Sequence, residues 1–249
     1  MKPFLFVTDL DNTLIGDDAA LATLNQKLEK HRQENGTKIV YATGRSLYLY
    51  RQLAQEKTLL TPDALIASVG TAIFSDPQDD AYDPQWAEVL SPGWNREKIL
   101  EIGTSFTQLV PQPEYEQFEY KVSYHIPEAE AKEVMPALQE KLTAAGLKFN
   151  LIYSGSLDLD VLPENGNKGL AVKFLQEKLG FQPEDTVVCG DSGNDIALFK
   201  VGKSRGIMVG NSKHELREWY QANRKDYHYL AQSSCSGGIL EGLKHFKFL

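Results

Sequence analysis

Five stretches of the chain share one pattern, an apolar run that stops abruptly at polar or glycine residues. They are "FLFVTDLDNT" (residues 4–13), "KIVYATGRS" (38–46), "DALIASVGTA" (63–72), "DTVVCGDSGND" (185–195) and, more weakly, "RGIMVGNS" (205–212). Unbroken apolar runs of this length suit parallel strands buried on both faces. Between them, apolar residues recur with helical spacing over residues 20–35, 46–60, 168–180 and 195–202. Strand and helix in alternation predict an α/β fold with a Rossmann-like, doubly wound parallel sheet.

The middle of the chain follows another pattern. "SDPQDDAYDPQW" (75–86) is rich in Asp and Pro and reads as a linker. "WNREKILEIGTSFTQLV" (94–110) is helical in spacing, whereas "QFEYKVSYHI" (117–126) alternates with period two, as a strand with one exposed face does. "PEAEAKEVMPALQEKLTAAG" (127–146) predicts a second helix, interrupted or kinked at Pro136. "KFNLIYSG" and "SLDLDVLP" (148–163) predict a hairpin turning around Ser154 to Ser156. An α+β unit at 81–159 is therefore expected to interrupt a sheet domain made of 1–80 and 160–249.

Composition narrows the function. The 249 residues are 42% hydrophobic, enough for a real core. With 26 Lys and Arg against 34 Asp and Glu, the net charge of -8 comes without a basic cluster. Nucleic acid and anionic membrane are poor partners for such a surface. Two cysteines without a C-x-x-C spacing fit a reducing compartment. No run approaches the ~20 apolar residues of a membrane span, and the short apolar start is followed by acids rather than a signal cleavage site. A soluble, cytoplasmic protein is expected.

Candidate chemistry gathers at the ends of the apolar runs, where parallel α/β sheets bind ligands. Asp9, Asp11 and Thr13 follow the first run, Thr43, Gly44 and Arg45 the second, and Asp191, Asn194 and Asp195 the fourth. Lys168 opens a helix just after the insertion, where the helix dipole disfavours a cation. Two unit charges at 4 Å interact by roughly 4 kcal/mol at an effective dielectric of about 20. Several acids brought together therefore need a cation, and an all-oxygen set suits Mg²⁺. The pattern reads as a phosphoryl site in which one carboxylate is the nucleophile. Lys121, Ser123 and His125 share one face of the middle strand, and Asp158 lies on another strand. A solvated sheet face explains these four as well as a sugar-binding one.

"DLDNT", "ATGR", "NKG" and "GDSGND", in this order, resemble the four motifs of the haloacid dehalogenase superfamily, and the insertion resembles its C2-type cap. More narrowly, "TDLDNT", "YATGRS", "KVSYH", "DLDVLP", "NKG" and "CGDSGNDI" are similar to the sucrose-phosphate phosphatase family of cyanobacteria and plants. The resemblance implies an Mg²⁺-dependent phosphatase that releases sucrose and phosphate from sucrose 6-phosphate through an aspartyl phosphate, the last step of sucrose biosynthesis. It implies that Asp9 is the nucleophile and that Asp11 is the acid and then the base. Thr43 and Lys168 hold the phosphoryl oxygens, with Gly44, Arg45 and Asn194 beside them. Asp9, the Asp11 carbonyl and Asp191 bind the metal, and Asp195 fixes Lys168. Lys121, Ser123, His125 and Asp158 face the sugar. The same resemblance implies a monomer acting on a small sugar phosphate, in transient contact with sucrose-phosphate synthase.

Other readings share parts of this pattern. A receiver domain also phosphorylates an Asp beside acids, Thr and Lys, but would be about half this length and lack the acid two residues later. A phosphomutase shares the first half-reaction. Another C2-capped phosphatase, such as one acting on mannosyl-3-phosphoglycerate, shares the motifs. So does a non-catalytic phosphatase-like module, although such modules can lose acids that this chain keeps.

Overall fold

The computed structural model describes residues 2–249. In chain order the elements are β1 (Leu5–Thr8), α1 (Asp18–Asn35), β2 (Lys38–Ala42), α2 (Leu47–Glu56), β3 (Ala64–Ala67), β4 (Ala72–Phe74), α3 (Pro84–Leu90), α4 (Arg96–Gly103), β5 (Val110–Pro111) and β6 (Val122–His125). They continue with α5 (Glu128–Ala144), β7 (Phe149–Ser154), β8 (Asp158–Pro163), α6 (Lys168–Leu179), β9 (Thr186–Gly190), α7 (Ile196–Lys200), β10 (Arg205–Met208), α8 (His214–Asn223), β11 (His228–Leu230) and α9 (Cys235–His245).

The large sheet runs in the order β11-β10-β9-β1-β2-β3-β4. Every neighbouring pair is parallel except β3 and β4. Alternation along β1 explains its two-sided burial: Phe4 and Phe6 pack on one face with Leu24, Leu28 and Ile239, while Leu5 and Val7 pack on the other with Ala171, Leu175 and Leu198. The chain builds outward from β1 through β2 and β3, then crosses to β9 on the opposite side. That reversal makes the carboxyl end of β1 the switch point of the sheet, where a crevice must open.

A second sheet, β5-β6-β8-β7, is antiparallel throughout. Its inner face, with Val122, Tyr124, Ile126, Leu159 and Val161, meets Val134, Leu138 and Leu142 of α5 and Ile99 of α4. This is a separate core with its own layer of helix on sheet. Helix α5 continues through Pro136 from Glu128 to Ala144.

Several elements differ from the sequence expectation. Residues 75–86 are not all linker: Asp83 caps α3 by accepting from the backbone N–H groups of Gln85 and Trp86, and Pro84 fits the first turn, where its missing N–H costs nothing. Trp86 is 2% exposed and packs with the large sheet's core, its indole donating to the Gly70 carbonyl (3.1 Å). The helix expected over 94–110 stops at Gly103. The strand expected over 117–126 is limited to β6, because Phe118 and Lys121 close a tight turn with bonds of 3.2 and 3.1 Å. Strand β8 runs through the boundary expected at residue 160 and ends at Pro163. Among the described residues, no helix is long and apolar enough to cross a membrane.

Trp86 ties the chain's departure from the large sheet to that sheet's core. Trp86→Ala is expected to lower unfolding free energy by about 3–5 kcal/mol, measured by urea titration. A loss under about 1 kcal/mol would mean that this segment is not part of the core.

Candidate active site

The site is organised by a buried cation. Lys168 is the first residue of α6, placed by Asn167, whose side chain accepts from the Leu170 N–H (2.9 Å). Its side chain is fully buried, and its ammonium donates to Asp9 Oδ1 (2.7 Å), Asp195 Oδ1 (2.7 Å) and Asn194 Oδ1 (3.2 Å). All three protons are used. Burial alone would lower the Lys168 pKa, but Asp195 and Asp9 outweigh it and hold the lysine protonated.

Each partner is fixed in turn. Asp195 Oδ2 accepts from the backbone N–H groups of Asp191 (3.0 Å) and Ser192 (3.2 Å), closing the turn after β9. Gly190 lies under that carboxylate, and a Cβ there would meet the Asp195 side chain at 2.5 Å. Gly169 lets α6 approach α7, since its Cβ would lie 2.1 Å from the Ala197 carbonyl oxygen. Asp9 extends the β1 ladder by donating its N–H to the Cys189 carbonyl (3.0 Å). Asp191 Oδ1 accepts from the Thr13 hydroxyl (3.1 Å).

Asp9, Asp191 and Asp195 bring carboxylate oxygens within 4.8 Å of one another. Asp195 is committed to Lys168 and two backbone donors, so Asp9 and Asp191 are the acids left to hold a metal. Three buried acids against one lysine leave an excess of negative charge. Burial pushes the Asp9 carboxyl up against the pull of Lys168, and pushes Asp191 up to about 6, with the Asp195 charge adding to it. A hard divalent cation fits this oxygen-only set and offsets its charge.

Asp11 stands apart from this cluster. Its carboxylate takes both oxygens to Arg45, Nε to Oδ2 at 2.7 Å and Nη2 to Oδ1 at 2.8 Å. The side chains are 45% and 31% exposed, so water screens the pair and its net worth is about 0–1 kcal/mol. The bidentate geometry is well formed, yet it opens at little cost. The Thr43 hydroxyl oxygen accepts from the Arg45 N–H (3.1 Å), and Gly44 lines the cleft beside Asn194.

The cleft above these residues has a volume of about 620 Å³ and is closed on its far side by the inserted unit. Lys121, His125, Asp158 and Asp160 line it from there. Lys121 is 2% exposed and Ser123 is fully buried, whereas the His125 and Asp158 side chains are 41% and 44% exposed, so the face is dry at one end and wet at the other. Ser123 donates to Asp160 (2.6 Å), Lys121 pairs with Asp160 (3.5 Å), and His125 Nδ1 lies 3.1 Å from Asp158 Oδ1. Sequence reasoning does not single out Glu116, Gln112 or Lys213, which also line the cleft. Gln112 and Lys213 lie outside the regular elements and Glu116 ends a three-residue 3₁₀ turn, so no periodicity marks a face.

The raised carboxyls give a pH signature in the metal-free protein. As pH rises past the ordinary Asp value of 3.8, the unfolded chain ionises first while Asp191 lags until about 6 and Asp9 lags further. The folded state then holds the extra protons, so these groups cost stability with rising pH. A divalent cation binds the ionised form and reverses that loss. The thermal stabilisation by Mg²⁺ is thus expected to grow from about pH 5 to about pH 8. A shift that stays constant or shrinks would contradict the assignment of Asp9 and Asp191 as ligands.

Comparison with known proteins agrees with this geometry. Residues 2–247 match the family described as sucrose-6F-phosphate phosphohydrolase. The crystal structure of the sucrose-phosphatase from Synechocystis sp. PCC6803, in complex with sucrose and phosphate, superposes with a TM-score of 0.91 at 40% identity, covering 99% of both chains. Sucrose-phosphatase 1 of Nicotiana tabacum is 38% identical over 97% of this chain, which spans 59% of that protein's length. Mannosylfructose-phosphate phosphatase of Agrobacterium fabrum is 30% identical, with 99% and 98% of the two chains covered. A haloacid dehalogenase-like hydrolase of Bacillus subtilis, 20% identical with a TM-score of 0.68, shares the fold. The chain therefore belongs to the sucrose-6F-phosphate phosphohydrolase family, within the haloacid dehalogenase superfamily.

Proposed function

We propose that the chain is an Mg²⁺-dependent phosphatase that hydrolyses sucrose 6-phosphate to sucrose and phosphate. One observation carries the chemistry: Lys168 joins Asp9 to Asp195 at the switch point of the sheet, with Asp191 beside them. The likeness over full length to a sucrose-phosphatase crystallised with sucrose and phosphate supports the substrate.

Asp9 would attack phosphorus with the oxygen not committed to Lys168. The bond from phosphorus to the fructosyl oxygen breaks as the aspartyl phosphate forms. Asp11, ionised while it is paired with Arg45, would take up a proton from water once that pair opens and give it to the departing sugar oxygen. Asp11 then takes a proton from water, whose oxygen displaces Asp9 from phosphorus. Lys168, by exchanging its longest bond, the one to Asn194, would hold the phosphoryl oxygens together with the Thr43 hydroxyl and the neighbouring backbone, and Asp195 would keep Lys168 aimed. Mg²⁺, held by Asp9, Asp191 and the Asp11 carbonyl, would offset the charge that phosphate adds to the acids.

The sugar end rests on the inserted unit, for which we propose residues 81–159 as the specificity region. The phosphate belongs at Asp9, so the rest of the substrate extends toward Lys121, Ser123, His125 and Asp158. His125 already pairs with Asp158, and Lys121 and Ser123 both pair with Asp160, and a ligand without hydroxyls would leave these groups nothing to exchange.

The test is phosphate release from sucrose 6-phosphate, fructose 6-phosphate and mannosylfructose phosphate. Sucrose 6-phosphate is expected to exceed fructose 6-phosphate in kcat/KM by at least about tenfold, the equivalent of 1.4 kcal/mol. Equal turnover would return the chain to an unspecialised sugar-phosphate phosphatase, and preference for the mannosyl compound would move the assignment to that substrate. Asp9→Asn is expected to abolish turnover, and Asp11→Asn to lower it by about 10²–10⁴-fold. Substantial activity in purified Asp9→Asn would contradict the covalent mechanism.

A further inference from the structure

The turn that carries Asp11 is held from outside the cleft. The Leu10 carbonyl accepts from the N–H groups of Thr13 (3.3 Å), Leu14 (3.0 Å) and Ile15 (2.9 Å), so the chain doubles back over residues 10–15. Asn12 takes a left-handed conformation (φ 60°) to make that reversal. Among the described residues, no backbone N–H donates to the Asn12 carbonyl, which lies between Asp11 and Thr13.

Two side chains from the far end of the sequence reach it instead. Asn211 Nδ2 donates to this carbonyl at 2.7 Å, and the Cys235 thiol lies 3.4 Å from it. The Asn211 amide is itself oriented, because its Oδ1 accepts from the Cys235 N–H (2.9 Å). A carbonyl only accepts and a backbone N–H only donates, so these two partners fix which way the amide points. Ser236, the next residue of α9, donates its hydroxyl to the Leu14 carbonyl. Cys235 is left-handed as well (φ 47°), a backbone that a residue with a Cβ keeps only where its surroundings over-determine it. Gly16 makes room for the thiol, since a Cβ there would lie 2.5 Å from Cys235 Sγ.

The turn that bears Asn211, between β10 and α8, also holds the second acid loop. The Lys213 N–H donates to the Asp191 carbonyl (2.7 Å), and the Val209 N–H donates to the Gly190 carbonyl (3.3 Å). The Thr13 hydroxyl on Asp191 (3.1 Å) closes the circuit. Residues 209–213 therefore set the loop of Asp11 and the loop of Asp191 relative to each other. Stability does not explain the arrangement: Asn211 is exposed and lies outside the lining of the cleft, and water can replace the bonds of an exposed amide at little net cost. Water cannot replace their direction. Among the described residues, Arg45 alone donates to the Asp11 carboxylate, and that side chain is 45% exposed. Once the pair opens, only the backbone aims Asp11, and a displacement of about 1 Å at a reacting group can cost about 10²-fold in rate.

We propose that Asn211 is a positioning residue for the phosphoryl chemistry: its amide, oriented by Cys235, fixes the Asn12 carbonyl and so aims Asp11 after Arg45 lets go. The proposal rests on the phosphatase reading above, in which Asp11 is the acid and the base. Its test measures hydrolysis of sucrose 6-phosphate by the native protein, Asn211→Ala, Asp11→Asn and the double variant, with Asn211→Asp alongside. Asn211→Ala removes both bonds. Asn211→Asp keeps the acceptor for the Cys235 N–H and sets a carboxylate oxygen against the Asn12 carbonyl. Both single variants are expected to keep the native thermal midpoint closely, because the residue is exposed. In both, kcat is expected to fall about 10- to 100-fold with KM little changed. In Asp11→Asn, adding Asn211→Ala should cost little more, because the group that Asn211 aims is already gone. Should the alanine variant not fold, Asn211→Asp carries the same comparison. An unchanged kcat overturns the proposal. So does a loss as large with Asp11→Asn as without it, which would mean that Asn211 merely holds the loop together. Native protein that releases no phosphate from sucrose 6-phosphate would instead overturn the phosphatase reading, so the two failures are distinct.

Discussion

The site depends on one buried ion-pair triad. Lys168 has no access to water, and its charge is tolerable because Asp9 and Asp195 each lie 2.7 Å from it. Two charges at that separation in a dry interior attract strongly, but each has lost its hydration, so the arrangement costs stability unless every remaining bond is made. Here they are made: Asn194 takes the third lysine proton, and two backbone N–H groups take the second Asp195 oxygen. The same bonds fix the turn after β9, and so fix Asp191. A lysine at the start of one helix thereby sets the geometry of acids from two separate strands.

The fold explains why those strands meet. Strand β1 is central, with β2 on one side and β9 on the other. The crossing from one side to the other opens the crevice that Asp9 faces, and the inserted unit covers it. In the proposed reading, phosphoryl chemistry and sugar contact are divided between two cores that share one cleft. The division also separates two kinds of ion pair. The Lys168 pairs are buried and fixed, while the Arg45–Asp11 pair is exposed enough to exchange. The proton-transfer role proposed for Asp11 needs a pair of the second kind.

Much of this was legible in the sequence. Apolar runs that stop at Asp9, Thr43 and Asp191 marked the strands and the strand ends that the structure gathers at one crevice, because burial on two faces leaves no other signature. The odd position of Lys168 at a helix start pointed to a partner, and Asp9 and Asp195 are that partner. Other features were not legible. Strand β4 is three residues long and β11 also three, too short for a periodicity to show. For Lys121 and Ser123 the pattern left a solvated and a sugar-binding face equally open, because alternation reports which residues differ, not which side is wet. The turn bearing Glu116 covers that face from outside β6, and a 3₁₀ turn of three residues carries no pattern of its own. The pairing of Arg45 with Asp11 depends on tertiary placement alone.

If the buried triad organises the site, Lys168 and Asp195 act as a unit. The direct measurement is a double-mutant cycle with Lys168→Met and Asp195→Asn, read by chemical denaturation. Removing the lysine alone leaves buried acids uncompensated and is expected to cost about 3–5 kcal/mol. Because Asp195→Asn removes one of those acids, the double variant should recover part of that loss, with a coupling of about 1–3 kcal/mol between the two sites. Additive losses, with no coupling, would contradict the claim that this buried pair organises the site.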